Sequence, residues 1–185
     1  MLMRRLAALA LAGGLALVLL AGCGQKPAEQ GSSSSQSAQA EAFYSFTDDS
    51  GREVSLESQP QRVVALMGSY AETWMLAGGV PVGVTEDVIS ERGLTVGEET
   101  KVIGTVKGPS TEEILNLDPD FILLSTDVAE HVELDGMLTQ AGIPHAYFKV
   151  ENFEDYLNML KICTDLTGRA DLYEENGIAV QAQID

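Results

Sequence analysis

Few side chains in this chain of 185 residues could do nucleophilic, acid–base or metal chemistry: two histidines, His131 and His145, two cysteines, Cys23 and Cys163, and 28 carboxylates. A catalytic thiol needs a base beside it, and nothing in the spacing gives Cys163 a histidine. It sits near the apolar face of a helical pattern, where cysteine behaves as a small hydrophobe. A bare Zn or Mn site wants clustered His and carboxylates; one histidine among scattered acids does not supply that, so direct metal binding is not expected. His131, Met67 and Tyr70 are residue types that ligate haem iron. No P-loop, dinucleotide-binding glycine pattern or Ser-His-Asp arrangement is present. The chemistry that remains is recognition by aromatic, hydroxyl and scattered charged groups.

The elements that must position those groups alternate in type. Short runs rich in Val, Ile and Phe, at 62–67, 81–85, 101–104, 121–125 and 145–149, read as strands. Helical patterns stand between most of them, at 70–77, 111–117, roughly 132–141 and 153–167. Strands alternating with helices imply a parallel sheet covered on both faces. Ahead of it, "FYSFTDDSGREVSL" (43–56) reads as a hairpin turning at Asp48, Asp49, Ser50 and Gly51. Ser110 with Glu113 forms a capping-box signature, and Asn152 can cap the 153–167 helix. Pro119, Gly142, Gly168 and the Gly78-Gly79 pair punctuate helix ends.

In open α/β sheets ligands lie beyond the carboxyl ends of the strands. The candidate binding residues are therefore Met67, Ser69, Tyr70 and Trp74 after the first strand, Thr85 and Glu86 after the second, Thr105 and Lys107 after the third, and Thr126 and His131 after the fourth. Tyr70 and Trp74 can wall a pocket for a flat or greasy ligand or belong to the core, and both readings stand. Lys107 can meet an anionic group or simply be solvated. His145 opens a strand at the opposite end of the sheet and is expected to be structural.

The first 42 residues have a different logic. Arg4 and Arg5 precede an apolar run from Leu6 to Leu20, the pattern of a secretory signal. The run is shorter than the roughly 20 apolar residues a membrane-spanning helix needs. It closes on "LAGC", which resembles a bacterial lipobox. That resemblance implies cleavage after Gly22, a diacylglyceryl thioether on Cys23 and a membrane anchor, since two or more acyl chains hold stably. The following "GSSSSQSAQAEA" cannot bury enough apolar surface to fold and reads as a disordered tether through residue 42. The expected location is the extracytoplasmic face of a bacterial membrane.

The net charge is −17, and without residues 1–22, which hold two basic and no acidic residues, nine basic residues face 28 acidic ones, or −19. Such a balance argues against nucleic acid as a partner. With Cys23 lipidated, Cys163 has no internal disulfide partner, so stability must come from a core. Residues from about 43 to 185 suffice for one domain of ordinary size. The helical pattern from Ala170 reaches Asp185 without a cap, so the chain is expected to be a fragment.

Taken in order, "FTDDSGREVSL", "PQRVVALMGSYAETWMLAGGVPVGVT", "VIGTVKGPSTEEILNLDPDFILLS" and "LTQAGIPHAYFKVENFEDYLNMLKICTDLTGRADLYEENG" resemble the amino-terminal half of the substrate-binding lipoproteins of ABC importers for iron complexes and cobalamin. The resemblance implies a Rossmann-like α/β lobe at 43–169 with its N-terminal β-hairpin, and the start of a long interlobe helix at 170–185. It also implies a second lobe, absent here, that completes the ligand cleft. It further implies a monomeric solute receptor, not an enzyme, with no cofactor beyond the lipid on Cys23. The small-molecule ligand would be a ferric siderophore, haem or a corrinoid, delivered to an ABC permease and ATPase complex. Glu112 occupies the position at which each lobe presents an acid to permease arginines, although an acid in a first helical turn is also favoured by the helix dipole. Two other classes stay open: an extracytoplasmic enzyme on a chelatase-like fold, and an adhesive or sensory lipoprotein. The sequence beyond Asp185 discriminates among them.

Overall fold

The computed structural model describes residues 42–184. The expected signal sequence, Cys23 and the tether through residue 41 lie outside the described residues. Among those described, no helix is long and apolar enough to cross a membrane.

The chain begins with an antiparallel hairpin, β1 (Tyr44–Thr47) and β2 (Glu53–Leu56), paired with Tyr44 opposite Leu56. It continues through β3 (Val63–Ala65), α1 (Gly68–Leu76), β4 (Gly83–Val84), α2 (Asp87–Ser90) and β5 (Lys101–Val102). A tight hairpin follows, β6 (Gly104–Thr105) and β7 (Gly108–Pro109), then α3 (Thr111–Asn116) and β8 (Phe121–Ser125). The last stretch is α4 (Ala129–Glu133), α5 (Asp135–Ala141), β9 (His145–Phe148), α6 (Phe153–Thr167), α7 (Ala170–Tyr173), a π turn (Glu174–Ile178) and α8 (Ala179–Ile184).

Five strands form one parallel sheet in the order β5-β4-β3-β8-β9. Both of its faces are buried, which is why β8 reads as an unbroken apolar run instead of alternating with polar residues. Phe121 and Leu123 point with Val63, Ala65 and Phe148 into a core completed by Trp74 of α1 and Leu160 of α6. Ile122 and Leu124 point the other way, with Val64 and Tyr147, onto Ile114 of α3 and Leu138 of α5. Two layers of helix on one sheet thus share its alternating side chains.

Local chemistry sets the helix ends. Asn152 accepts from the N–H groups of Glu154 and Asp155, and the Asp155 carboxylate accepts back from Asn152 N–H at 3.2 Å, a complete capping box. At α3, Ser110 Oγ accepts from Glu113 N–H at 3.3 Å. The other end of α3 has no glycine: Asp118 itself takes a left-handed φ of 45°, and the Arg62 guanidinium donates to the carbonyls of Leu117 and Asp118. Gly142 and Gly168, as expected, close α5 and α6 at φ of 70° and 72°.

Three features depart from the sequence reading. The strand expected at 101–104 stops at Val102, because Gly104 at φ 119° turns the chain into β6, with an added Cβ there only 2.5 Å from Gly108 O. The helix expected at 132–141 starts three residues earlier and is divided at Leu134. The segment from Ala170 is not a uniform α-helix but holds the π turn.

Candidate functional site

Strands β3 and β8 are neighbours, while the chain leaves β3 towards β4 and leaves β8 towards β9. Their carboxyl ends therefore flank a topological switch point, where a crevice opens in folds of this kind. Helix α1 starts there without a cap of its own, and its N-terminus would suit an anion. That position is already taken: Asp87 Oδ2 accepts from Gly68 N–H at 2.7 Å, while Thr85 Oγ1 donates to Asp87 Oδ1 at 2.6 Å. A Cβ on Gly68 would lie 2.8 Å from the same carboxylate oxygen, so only glycine lets Asp87 come this close. The first N–H of α1 is thus satisfied from inside the protein.

Tyr70 staples the same corner. Its hydroxyl donates to Phe148 O at 2.8 Å and its ring meets the Phe148 ring edge-on. Burial pushes its pKa up to about 12, so it stays a neutral donor.

At this corner a cavity of about 430 Å³ is enclosed by residues of α1, α6, the π turn and α8. Ser69 and Tyr70 of α1, the aromatic Phe153 and Tyr156 of α6, Asn176 and Val180 line it, with the partly exposed Arg92 as its cation. Arg92 is paired with Glu72 of α1 at 2.8 Å. Both side chains are partly exposed, a geometry in which the pair contributes little to stability and can be exchanged for another anion. Apolar walls with a few convergent polar groups are what a small-molecule site requires.

The candidates from sequence divide by burial. Ser69 and Tyr70 meet in this cavity. Met67 and Thr126 are half-buried at the strand ends, and Glu86, Thr105 and Lys107 are exposed there. Thr126 faces a different hollow, with Asp49 and Tyr147, and Lys107 one lined by Glu130 and Glu133. Trp74 resolves to its core alternative, and two further assignments, Thr85 and His131, need correction. Trp74 is 3% exposed and packed in the core, where its Nε1 finds no partner among the described residues. Thr85 is fully buried and spends its hydroxyl on Asp87. His131 is also fully buried, with both ring nitrogens engaged: Nδ1 accepts from Ser125 N–H at 3.1 Å and Nε2 donates to Val106 O at 2.9 Å. Burial pushes its pKa below the usual histidine range, so it is a neutral strut and not an available iron ligand. Cys163 is buried as expected, its thiol pushed up to about 12 by desolvation. Among the described residues no group of three or more His, Cys, Asp or Glu is arranged to hold a metal ion.

Arg92, Phe153, Tyr156 and Asn176 were not foreseen. They arrive from the turn after α2, from α6 and from the π turn, remote from β3 along the chain. Arg92 alone left a trace in sequence: it is the one basic residue between Arg62 and Lys101, within an acidic stretch.

Residues 63–185 match the family model described as periplasmic binding protein. Over 135 residues the chain is 33% identical to YvrC of Bacillus subtilis, an uncharacterized ABC transporter substrate-binding lipoprotein, covering 70% of this chain and 40% of YvrC. The petrobactin-binding protein YclQ of Bacillus subtilis superposes with a TM-score of 0.62 at 16% identity, over 76% of this chain and 50% of YclQ. A periplasmic heme binding protein from Pseudomonas aeruginosa superposes with a TM-score of 0.58 at 22% identity, over 66% of this chain and 44% of that one. At such identities the structural likeness speaks for the fold alone. The chain spans half or less of the length of each of these relatives. With two thirds of its residues inside the family model, this chain belongs to the periplasmic binding protein family.

Proposed function

We propose that this chain is the amino-terminal lobe of the solute receptor of an ABC importer, tethered through Cys23 at the extracytoplasmic face of a bacterial membrane. The receptor takes up a metal chelate, of the class of ferric siderophores, haem or corrinoids, and does no chemistry on it. The observation that carries the reading is the cavity between Tyr70, Tyr156 and Arg92, which is aromatic, partly apolar and rimmed by one exchangeable cation. Those features suit a bulky chelate with an anionic edge. Relatives of one fold named for petrobactin and for heme support leaving the choice of chelate to the lining residues. The exposed Glu112, in the first turn of α3, is the proposed contact to permease arginines, because a carboxylate and a guanidinium pair in a fixed orientation. A second lobe would close the cleft, so this chain by itself should bind more weakly than a two-lobed receptor.

Native mass spectrometry against a panel of ferric siderophores, haem and corrinoids tests the reading. One chelate should be retained, and Arg92→Ala should weaken an anionic one about tenfold, the scale of one charged hydrogen bond. A folded protein that retains none of the panel, in this form or purified from its host, would exclude the chelate reading. For the anchor, Cys23→Ser should move the protein from the membrane fraction to the soluble one. Retention on membranes through a high-salt wash would rule out lipidation at Cys23.

A further inference from the structure

From Ala170 to Ile184 the backbone is one helix with a wide turn at its middle, where Ala179 N–H donates to Glu174 O, five residues back. Such π turns occur mostly as single insertions in α-helices, often where function needs them. Three contacts converge on this one. The Asn176 side chain donates through Nδ2 to Leu76 O at 2.9 Å, satisfying a carbonyl at the end of α1 that has no helical partner. The Asn176 carbonyl accepts from Tyr156 Oη of α6 at 3.0 Å. Gly177 is buried against α6, so close that an added Cβ would stand 3.0 Å from Leu157 Cδ2 and 3.2 Å from Leu160 Cδ2. Beyond the turn the attachment ends: α8 has no buried residue, and Val180 and Ile184 are exposed.

We propose that the π turn is a latch that sets the direction in which α8 leaves the lobe, with Asn176 as its bolt to α1 and Tyr156 as its bolt to α6. An ordinary α-helical turn would bring fewer residues to the contact face. The wider turn lets Asn176 reach α1 while the adjacent Gly177 still seats on α6. Tyr156, Asn176 and Val180 also line the cavity with Ser69 and Tyr70, so the same two hydrogen bonds bear on its shape. A ligand group that draws the Tyr156 hydroxyl to itself removes one bolt and changes the direction of α8. That last consequence rests on the cavity being the ligand site; the latch itself does not.

Hydrogen exchange read by mass spectrometry on the 185-residue chain tests the latch without any ligand. Asn176→Asp keeps the side chain's size but cannot donate to Leu76 O, and Tyr156→Phe keeps the ring without its hydroxyl. Each should speed exchange across 177–184 about fivefold, the loss of one hydrogen bond of ordinary strength. Amides of 157–166 should keep their protection, and Trp74 emission should not shift. Unchanged exchange across 177–184 would overturn the latch. So would a rise shared equally by α6, because the bonds would then support the lobe as a whole and not the direction of one helix.

Discussion

Asp48→Ala should destabilise the fold by about 3 kcal/mol, in the range seen when one member of a buried charged network is removed. The Asp48 carboxylate accepts from Ser50 N–H at 3.0 Å, Ser50 Oγ at 2.6 Å and Arg52 N–H at 3.0 Å through Oδ1, and from Tyr147 N–H at 3.0 Å through Oδ2. Tyr147 lies on β9, the outermost strand of the sheet, whose outward groups would otherwise be open to pairing with another chain. The hairpin turn covers them in series. Asp49 N–H donates to Tyr147 O at 3.0 Å, Lys149 N–H donates to Asp49 Oδ2 at 2.7 Å, and Arg52 Nη2 donates to His145 O at 2.8 Å. Truncating Asp48 removes the centre of this arrangement and leaves Tyr147 N–H buried without a partner. Burial by itself would raise the Asp48 pKa. The hydrogen bonds from Ser50, Tyr147 and Arg52, with the Arg52 charge, outweigh it and hold the carboxyl below its usual range. A depressed folded-state pKa means the contribution is complete above the ordinary Asp value, near 4, and is lost as pH falls through the lower folded value. Urea midpoints should therefore drop on acidification in the wild-type protein, and the slope should flatten in Asp48→Ala. Equal slopes would show that Asp48 does not hold the hairpin to the sheet edge.

Gly79→Ala should cost about 3 kcal/mol, at the upper end of ordinary overpacking. A Cβ at Gly79 would fall 2.2 Å from both Cε2 and Nε1 of Trp74. The indole cannot retreat, since it is 3% exposed and packed in the core between α1 and the sheet. Gly78→Ala next to it fails for a different reason, a φ of 86° that side chains rarely adopt, and should cost about 1–2 kcal/mol. Trp74 is the only tryptophan, so its emission reports directly: Gly79→Ala should shift it, and Gly78→Ala should not. Thermal midpoints in the same order as these costs would complete the test. A Gly79→Ala protein with native emission and native stability would mean that the Trp74 indole has room to move aside.

The order and type of the main elements were legible in the amino acids alone, because those follow from periodicity and caps that act within a few residues. The short run Phe121–Ser125 read as a strand buried on both faces, and Asn152, Gly142 and Gly168 marked helix ends through chemistry local to each. The sequence also placed candidate residues at the carboxyl ends of the strands, since a parallel sheet admits no other edge for a ligand. Which of them faces a cavity was decided by packing. His131, Thr85 and Trp74 stand at the right places along the chain, yet each turns inwards to serve Val106, Asp87 or the core. Spacing carries no information about which side of a loop meets solvent. The cavity that did form joins Ser69 to Arg92, Tyr156 and Asn176, residues brought together only when α1, α6 and the π turn dock. Even the pairing of Asn176 with Leu76, separated by 100 positions, depends on one inserted residue in a helix. The insertion leaves the local apolar pattern readable as helix, and only contact with two other helices gives the wide turn its purpose.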